Sequence, residues 1–508
     1  MRTEASQEQL RTVVAVQGRV ASVVGGLAVV AAPTAVLAGE WNALTSLAIT
    51  AAIGLGAGEI AWRRFHMTRE LTWSEGMVVL GLAYPVMALL AAIPIGLSGH
   101  VAGWGDAFFE AMSGLTTTGL SVLHDLDHLP TSLAIWRQLL QLLGGVTILI
   151  AGLTIFTPRS QKAYDFYGVG GRLERSVPGF VTTFRHMVKV GVAWGIAAAV
   201  ALGASLAIAG VPVARIPLHG MALFTSAFTT SGFSVSSASV AAYHSWSVEI
   251  VLIVLMLAGA IAFPLHLILW RGELQRFFRH VDTRSLGVVL LGAIVVVLAG
   301  LARSGAFTEV GPMLRRGLFL AVSAQTTTGL TVTEPRLLAS DWGLVAPAGL
   351  VLAMAIGGMK GSTAGGVKAE RFGLAFKGIA REVRRVLLPD HALVVETYQH
   401  KGRPRILTDA HVRAVGTVLL LFMTTQLVGA LVILYGADTF DLTEAMFESV
   451  SATSNAGLSI GILGPTSSGI LKLVVILQMW LGRLEFMAVF ALAGFAWSTR
   501  RLPARRTA

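Results

Sequence analysis

The chain has no cysteine and little charge. Over its 508 residues Asp, Glu, Lys and Arg together make 13%, against 54% hydrophobic residues. Without thiols there is no disulfide framework, no Cys-ligated metal and no thiol nucleophile, and redox logic leaves the compartment open. So little polar surface excludes a soluble fold of this length, and with a mean hydropathy of +0.70 lipid is the natural solvent. Acidic residues are the scarcer sign, 28 against 39 Lys and Arg, for a net charge of +11. The basic excess falls in short stretches between apolar runs, which fits positive-inside topology and not a nucleic-acid surface. There is no P-loop, and Gly168-Val169-Gly170-Gly171 follows no strand pattern, so no nucleotide or other organic cofactor is expected in this chain. No His/Glu metal pair or Asp dyad converges within an apolar run, which argues against an enzyme. His124 and His128 have i, i+4 spacing but no helix pattern or carboxylate trio, and Asp125 and Asp127 beside them suggest a cation-attracting vestibule instead.

What is present is a series of apolar stretches of about 20 residues, the length that crosses a bilayer. They run over 17–38, 42–62, 72–98, 132–156, 183–210, 246–270, 286–303, 342–357 with a continuation, 411–436 and 468–497, which predicts ten spans. Basic clusters at Arg63, Arg64 and Arg69, at Arg159 to Arg175, at Arg271 to Arg284, at Lys368 to Arg413 and at Arg500 to Arg506 fall on one side. Those segments and both termini are expected to be cytoplasmic, in a multi-pass protein of the cytoplasmic (inner) membrane. The other connections carry Asp106, Asp125, Asp127, Glu309, Glu334, Asp341, Asp438 and Asp441, with Arg215, Arg315, Arg316 and Arg336 diluting the contrast. The run Val20 to Leu37 could be read as a signal peptide, but a second span follows directly and the run is long for an h-region, which favours a retained hairpin.

Four polar strings ending in glycine interrupt the apolar sequence: Thr116-Thr117-Thr118-Gly119, Thr229-Thr230-Ser231-Gly232, Thr326-Thr327-Thr328-Gly329 and Ser454-Asn455-Ala456-Gly457. Each glycine has a serine six residues upstream (Ser113, Ser226, Ser323, Ser451) and is followed by a bulky apolar residue, a hydroxyl and a β-branched residue. One such string is a turn or cap; four in register are an internal repeat. Short helices are expected before each, over 108–115, 222–228, 318–325 and 445–452, too short to cross and ending with their negative poles at the strings. Irregular backbone at membrane depth is tolerated where it lines a water-filled or ion-filled cavity, and rings of carbonyls around one axis can replace the water shell of K+.

On these strings the chain resembles the Trk, Ktr and HKT superfamily of cation transporters, most closely its TrkH-type membrane subunits, from about Thr72 onward. The leading hairpin also fits the resemblance. It implies an all-α polytopic membrane protein in which four pseudo-symmetric helix/pore-helix/filter/helix repeats surround a central pore. The expected units are 1–70 (hairpin), 71–160, 161–280, 281–400 (with a gating loop) and 401–508 (with a basic tail). It further implies K+ as the transported ion, bound at the four strings, and a glycine in all four goes with K+ preference; Asn455 and Ala456 put the symmetry of the fourth repeat in doubt. Partners implied are a cytosolic TrkA-like nucleotide-binding subunit and a second copy of the membrane subunit. The basic stretch Val367 to Arg413, with Lys377, Arg381, Arg384 and Arg385, could dock the former or anionic lipid headgroups. A Na+-permeable or cation-coupled symporter of the same superfamily remains open. So does a secondary transporter of an organic solute, although that would show two inverted halves and not four parallel-like copies.

Two further features lie below the strings. The segment Gly357-Gly358-Met359-Lys360-Gly361-Ser362-Thr363-Ala364-Gly365-Gly366 holds five glycines, each costing a helix about 1 kcal/mol relative to alanine. It should unwind the span. The resemblance assigns an obstructing gate to Gly357, Gly358, Gly361, Ser362, Thr363, Gly365 and Gly366, with Lys360 either helping or snorkelling. Arg483, inside the last span, is costly in lipid and should face the cavity. It either pairs with Glu485 or caps loop carbonyls, and the resemblance adds an electrostatic barrier. Glu110 and Glu448, nine residues before the first and fourth glycines, either brace the short helices or attract cations.

Overall fold

The computed structural model describes residues 2–65, 71–123, 125–154, 180–389, 394–400, 403–436 and 440–500. His124, Gly168 to Gly171, Asp438 and the basic residues Arg69, Arg159 to Arg175 and Arg501 to Arg506 lie outside them. Among the described residues seven helices are long and apolar enough to cross a membrane, or nine if each of two bent pairs is one span. The chain is an all-helical multi-pass membrane protein. One exception is a small antiparallel hairpin, Thr397–His400 with Arg403–Ile406.

The leading hairpin, Arg2–Leu37 and Trp41–Arg64, closes through small residues. A methyl group on Gly25 would sit 2.8 Å from Leu55 N, so glycine is what lets the two backbones approach. Glu40 at its turn accepts from the backbone N–H of Thr131 at 2.7 Å and of Ser132 at 2.9 Å. That contact caps the free N-terminus of the helix Thr131–Thr154 and fixes the hairpin to the body.

Four units follow, each an outer helix, a short helix, a glycine string and an inner helix. The outer helices are Trp73–Gly96, Phe180–Ile208, Val281–Ser304 and Asp409–Gly436. The short helices, Trp104–Leu115, Ile216–Phe228, Val310–Gln325 and Leu442–Thr453, run longer than the sequence suggests. Their first two turns carry Asp106, His219, Arg315, Arg316 and Glu444, which an apolar-run criterion misses. Arg315 is there to pair with Glu249 of the second inner helix, at 2.7 Å through both Nε and Nη2.

The inner helices correct the ten-span reading. That of the first unit is continuous, but the second breaks between Trp246–Ala260 and Phe263–Trp270, bent by 112°. The cause is Pro264, whose ring would meet the carbonyl four residues back, on Ala260. That carbonyl accepts from Met359 N instead, at 3.0 Å. The third inner helix stops at Ile356 and resumes as Ala369–Leu387, the break expected from the glycine-rich segment between them. The fourth turns by 108° between Gly469–Arg483 and Met487, through left-handed backbone at Glu485 (φ 49) and Phe486 (φ 67).

Candidate functional site

Each short helix ends in the same backbone motif. In the first, Thr117 N donates to Gly114 O at 3.0 Å and Thr118 N to Ser113 O at 2.9 Å, a Schellman cap. The other three repeat it on the carbonyls of Ser226, Ser323 and Ser451, and the hydroxyls of Ser226 and Ser323 also donate to Phe233 O and Leu330 O beyond the strings. The left-handed position of such a cap normally belongs to glycine. Here it holds Thr117, Thr230, Thr327 and Asn455, at φ between 50 and 53. Three of these are β-branched, for which positive φ is a genuine outlier, costing of order 1–3 kcal/mol each. One left-handed conformation is thus held at the same position of all four strings, at a cost in three of them.

The string glycines, with φ from 78 to 87, close a ring. A Cβ on Gly119 would strike the carbonyl oxygen of Ser231; on Gly232, that of Thr328; on Gly329, that of Ala456; on Gly457, that of Thr118. Each string therefore packs on the next and the fourth on the first. The glycine is half-exposed and the three preceding residues are buried in every repeat. Among the described residues no hydrogen-bond donor reaches the carbonyls of the second, third or fourth residue of any string. Twelve main-chain oxygens of a closed ring of strings are thus unbonded among the described residues, where such groups ordinarily find a partner.

Hydroxyls clasp the first three strings. Thr116 Oγ1 donates to Met112 O at 2.7 Å and meets Thr118 Oγ1 at 2.8 Å; Thr229 with Ser231 and Thr326 with Thr328 do the same. The fourth string has no third hydroxyl, and Asn455 Nδ2 instead donates to Thr118 Oγ1 and Met479 O, both at 2.9 Å. The departure seen in sequence is a substituted clasp on an unchanged backbone.

Glu110 and Glu448 are braces. Glu110 accepts from Ser121 Oγ at 3.0 Å and Val122 N at 3.2 Å, and pairs with the buried Arg137 at 2.6 Å. Arg137 donates onward to Ser234 O at 3.1 Å and lies 4.0 Å over the Phe233 ring, tying the first string to the second. Truncating Arg137 to Ala would leave a buried carboxylate without its cation, a loss of about 3–5 kcal/mol. Thermal unfolding in detergent should show that drop, and Glu110→Gln in the same chain should recover part of it.

The glycine-rich loop lies under the ring. Its Thr363 Oγ1 donates to Phe228 O at 3.1 Å and receives from Thr230 Oγ1 at 3.2 Å; Gly365 N donates to Thr327 Oγ1 at 2.6 Å, and Gly366 N to Ser454 O at 2.9 Å. A Cβ on Gly145 of the first inner helix would be 3.7 Å from Thr363 Cγ2. A segment that touches all four units sits on the axis they share. Gly357, Gly361 and Gly366 take φ of 74, 81 and 75, and Ser362 donates to Met359 O at 2.6 Å. Gly358 faces Ala364 so closely that a Cβ would lie 2.5 Å from that methyl. Lys360 points away, paired with Glu370 at 3.3 Å, its side chain 59% exposed.

Arg483 reaches the loop from the fourth unit: Nη1 donates to Thr363 O at 2.8 Å, while Nε and Nη2 are buried without a hydrogen bond among the described residues. Of the two structural readings, the carbonyl cap is the one realised. Glu485 pairs with Arg371 instead, because its own backbone turns left-handed and swings it toward the resumed helix.

Sequence reasoning missed Gly144, Gly259 and Gly482, each of whose Cβ atoms would strike the last carbonyl of a short helix, on Leu115, Phe228 and Thr453. An equal offset of Gly144 and Gly482 from their string glycines was the available signal. It also missed the buried pair of Lys472 with Asp106 at 2.6 Å, which joins the fourth unit to the first. The basic residues of the stretch Val367 to Arg413 are engaged internally: Lys377 and Arg384 on Glu396 at 2.9 and 2.8 Å, Arg381 on Asp409 at 2.6 Å, and Arg385 on Glu382 at 3.3 Å. Lys377 and Arg384 together hold the Glu396 carboxyl below its ordinary range. Asp125 is likewise lowered, by its hydrogen bond with His128 at 2.6 Å.

Residues 46–496 match the family described as TrkH, cation transport protein. The chain is similar to the Trk system potassium uptake protein TrkH of Halomonas elongata, 30% identical over 478 residues, with 89% of this chain and 92% of that protein covered. To the protein of the same name in Escherichia coli K12 it is 26% identical over 455 residues, covering 87% and 89%. An uncharacterized cation transporter of Methanocaldococcus jannaschii is 26% identical over 432 residues, covering 85% and 84%. The crystal structure of the potassium transporter TrkH from Vibrio parahaemolyticus superposes with a TM-score of 0.80 at 24% identity, over 95% of this chain and 98% of that one, a likeness of fold.

Proposed function

The chain belongs to the TrkH family of cation transport proteins, and on that premise we propose that it takes up potassium across the cytoplasmic membrane through the four glycine strings. K+, or Rb+ in its place, is the cargo. The observation that carries this reading is the ring of buried, donor-free carbonyls closed by Gly119, Gly232, Gly329 and Gly457. Oxygens held by a strained backbone, at the negative ends of four helices, replace water around a bare cation of one size. We assign the remaining string residues, Thr116 to Thr118, Thr229 to Ser231, Thr326 to Thr328 and Ser454 to Ala456, to the same filter. The segment Gly357 to Gly366 and Arg483 form the gate, and Lys360 stands outside it on its pairing with Glu370.

The proposal includes a TrkA-like nucleotide-binding subunit on the cytoplasmic side, a homodimer of this chain and cytoplasmic termini. It keeps the repeats within 71–160, 161–280, 281–400 and 401–508, after the hairpin 1–70. Rb+ uptake into proteoliposomes, competed by K+, Na+ or organic solutes, tests the core of it. Competition by K+ well above Na+ supports it. Equal potency of the two would mean a Na+-permeable member of the superfamily, and block by an organic solute a secondary transporter.

A further inference from the structure

The first and fourth repeats carry the same carboxylate with different counter-charges. Glu448 lies 2.9 Å from Ser459 Oγ and accepts from Ile460 N at 3.3 Å, in the places that Ser121 and Val122 take beside Glu110. Both carboxylates are fully buried. Arg137, which pairs with Glu110, stands as far past Gly119 as Val475 does past Gly457. Gly144 and Gly482, one helical segment further, confirm this register by packing on equivalent carbonyls of Leu115 and Thr453. The fourth repeat therefore has an apolar, buried valine where the first has a guanidinium.

Among the described residues no other charge takes its place. Leu442–Thr453 packs against Asp409–Gly436, Gly469–Arg483 and Val345–Ile356. On the first of these, Asp409 is bonded to Arg381 and His411 to Thr408, and Arg413 lies in the same opening turns at the end far from Glu448. On the second, Lys472 is held by Asp106 and Arg483 by Thr363 O. The third has no titratable residue, and on Glu448's own helix Glu444 is bound up in the cap with Asp441.

An ionised carboxylate buried without a cation is too costly to persist when a proton is at hand. We propose that Glu448 is a positioning residue whose carboxyl group carries a proton where Glu110 is matched by Arg137, so that losing this proton displaces the fourth string and lowers K+ selectivity. The inference rests on the four strings being the filter. As the acid, one oxygen donates to Ser459 Oγ while the other accepts from Ile460 N; as the carboxylate, both oxygens accept and the Ser459 hydroxyl must turn to donate. Ser459 Oγ also accepts from Gly461 N at 2.9 Å, so a change at Glu448 passes into the chain just beyond Gly457. The released proton goes to water.

The test is Rb+ uptake by the full chain in proteoliposomes, with K+ and Na+ as competitors and both faces at one pH, stepped from about pH 6 to about pH 9. In the wild type the ratio of K+ to Na+ potency should fall several-fold as pH rises. Glu448→Gln, a permanent mimic of the neutral acid, should hold the acid-side ratio throughout, and Val475→Arg should remove the dependence by supplying a fixed cation. A wild-type ratio flat with pH overturns the proposal without any variant. So does a Glu448→Gln profile that tracks the wild type, which would move the titration to Asp125, Asp127 or His219. If K+ outcompetes Na+ at no pH, the filter reading itself fails, and this inference with it.

Discussion

Replacing Gly119 by serine is expected to reduce the preference for K+ over Na+ by roughly 5- to 150-fold, the range that corresponds to about 1–3 kcal/mol. Two costs combine at this position. The left-handed backbone, at φ 87, disfavours any Cβ, and a Cβ there would overlap Ser231 O and approach Gly232 Cα to 3.1 Å. Nothing at the ring is a flexible side chain that could yield, because every neighbour is main chain of the next string. The strain must be relieved by moving a carbonyl, which is the ligand in the proposed filter. The ring is cyclic, so Gly232→Ser, Gly329→Ser and Gly457→Ser should act in the same direction. Reversal potentials in opposed K+ and Na+ gradients give the ratio directly. Ratios equal to wild type in a folded, inserted Gly119→Ser chain would show that these carbonyls do not discriminate between the ions.

The strings were readable in sequence because duplication repeats a local necessity. Only glycine tolerates both the conformation and the carbonyl packed against it, and it appears four times at one phase. The second position was not readable in the same way. Threonine predicts against a left-handed conformation, and its φ near 50 is imposed by the cap geometry and the neighbouring strings, not by local preference. The break at Ala260 was missed in the span 246–270, although Pro264 marks it, since the ring excludes one particular carbonyl. The turn after Arg483 had no such marker: it depends on Glu485 meeting Arg371, far away in sequence. Arg137 was hidden for a related reason, lying in an apolar span whose period says nothing about which face meets a buried glutamate. Local chemistry survives projection onto one dimension, and pairings between distant repeats do not.

Removing the guanidinium of Arg483 should raise basal K+ or Rb+ flux by roughly tenfold to a hundredfold without any cytosolic partner. The estimate follows from one hydrogen bond to a charged donor, about 1.5–3 kcal/mol, lost from the closed state alone. That bond joins Nη1 to Thr363 O at 2.8 Å, and Thr363 is the loop residue that also holds Phe228 O, Gly259 O and Thr230. Arg483→Ala therefore loosens the loop at its most connected point and withdraws a positive charge from the path. The charge alone opposes a cation by up to about 4 kcal/mol at about 4 Å with an effective dielectric near 20, and less where water enters. Arg483→Gln separates the two effects, since its amide can still donate to Thr363 O: flux near the Ala level assigns the barrier to charge, and flux near wild type assigns it to the tether. Deleting Gly361 to Gly365 should exceed both, because it also takes away Thr363 itself and the donor that Gly365 N aims at Thr327. Flux unchanged or lowered in a correctly inserted Arg483→Ala chain would make the arginine a structural cap on the loop and leave the path to be closed by something else.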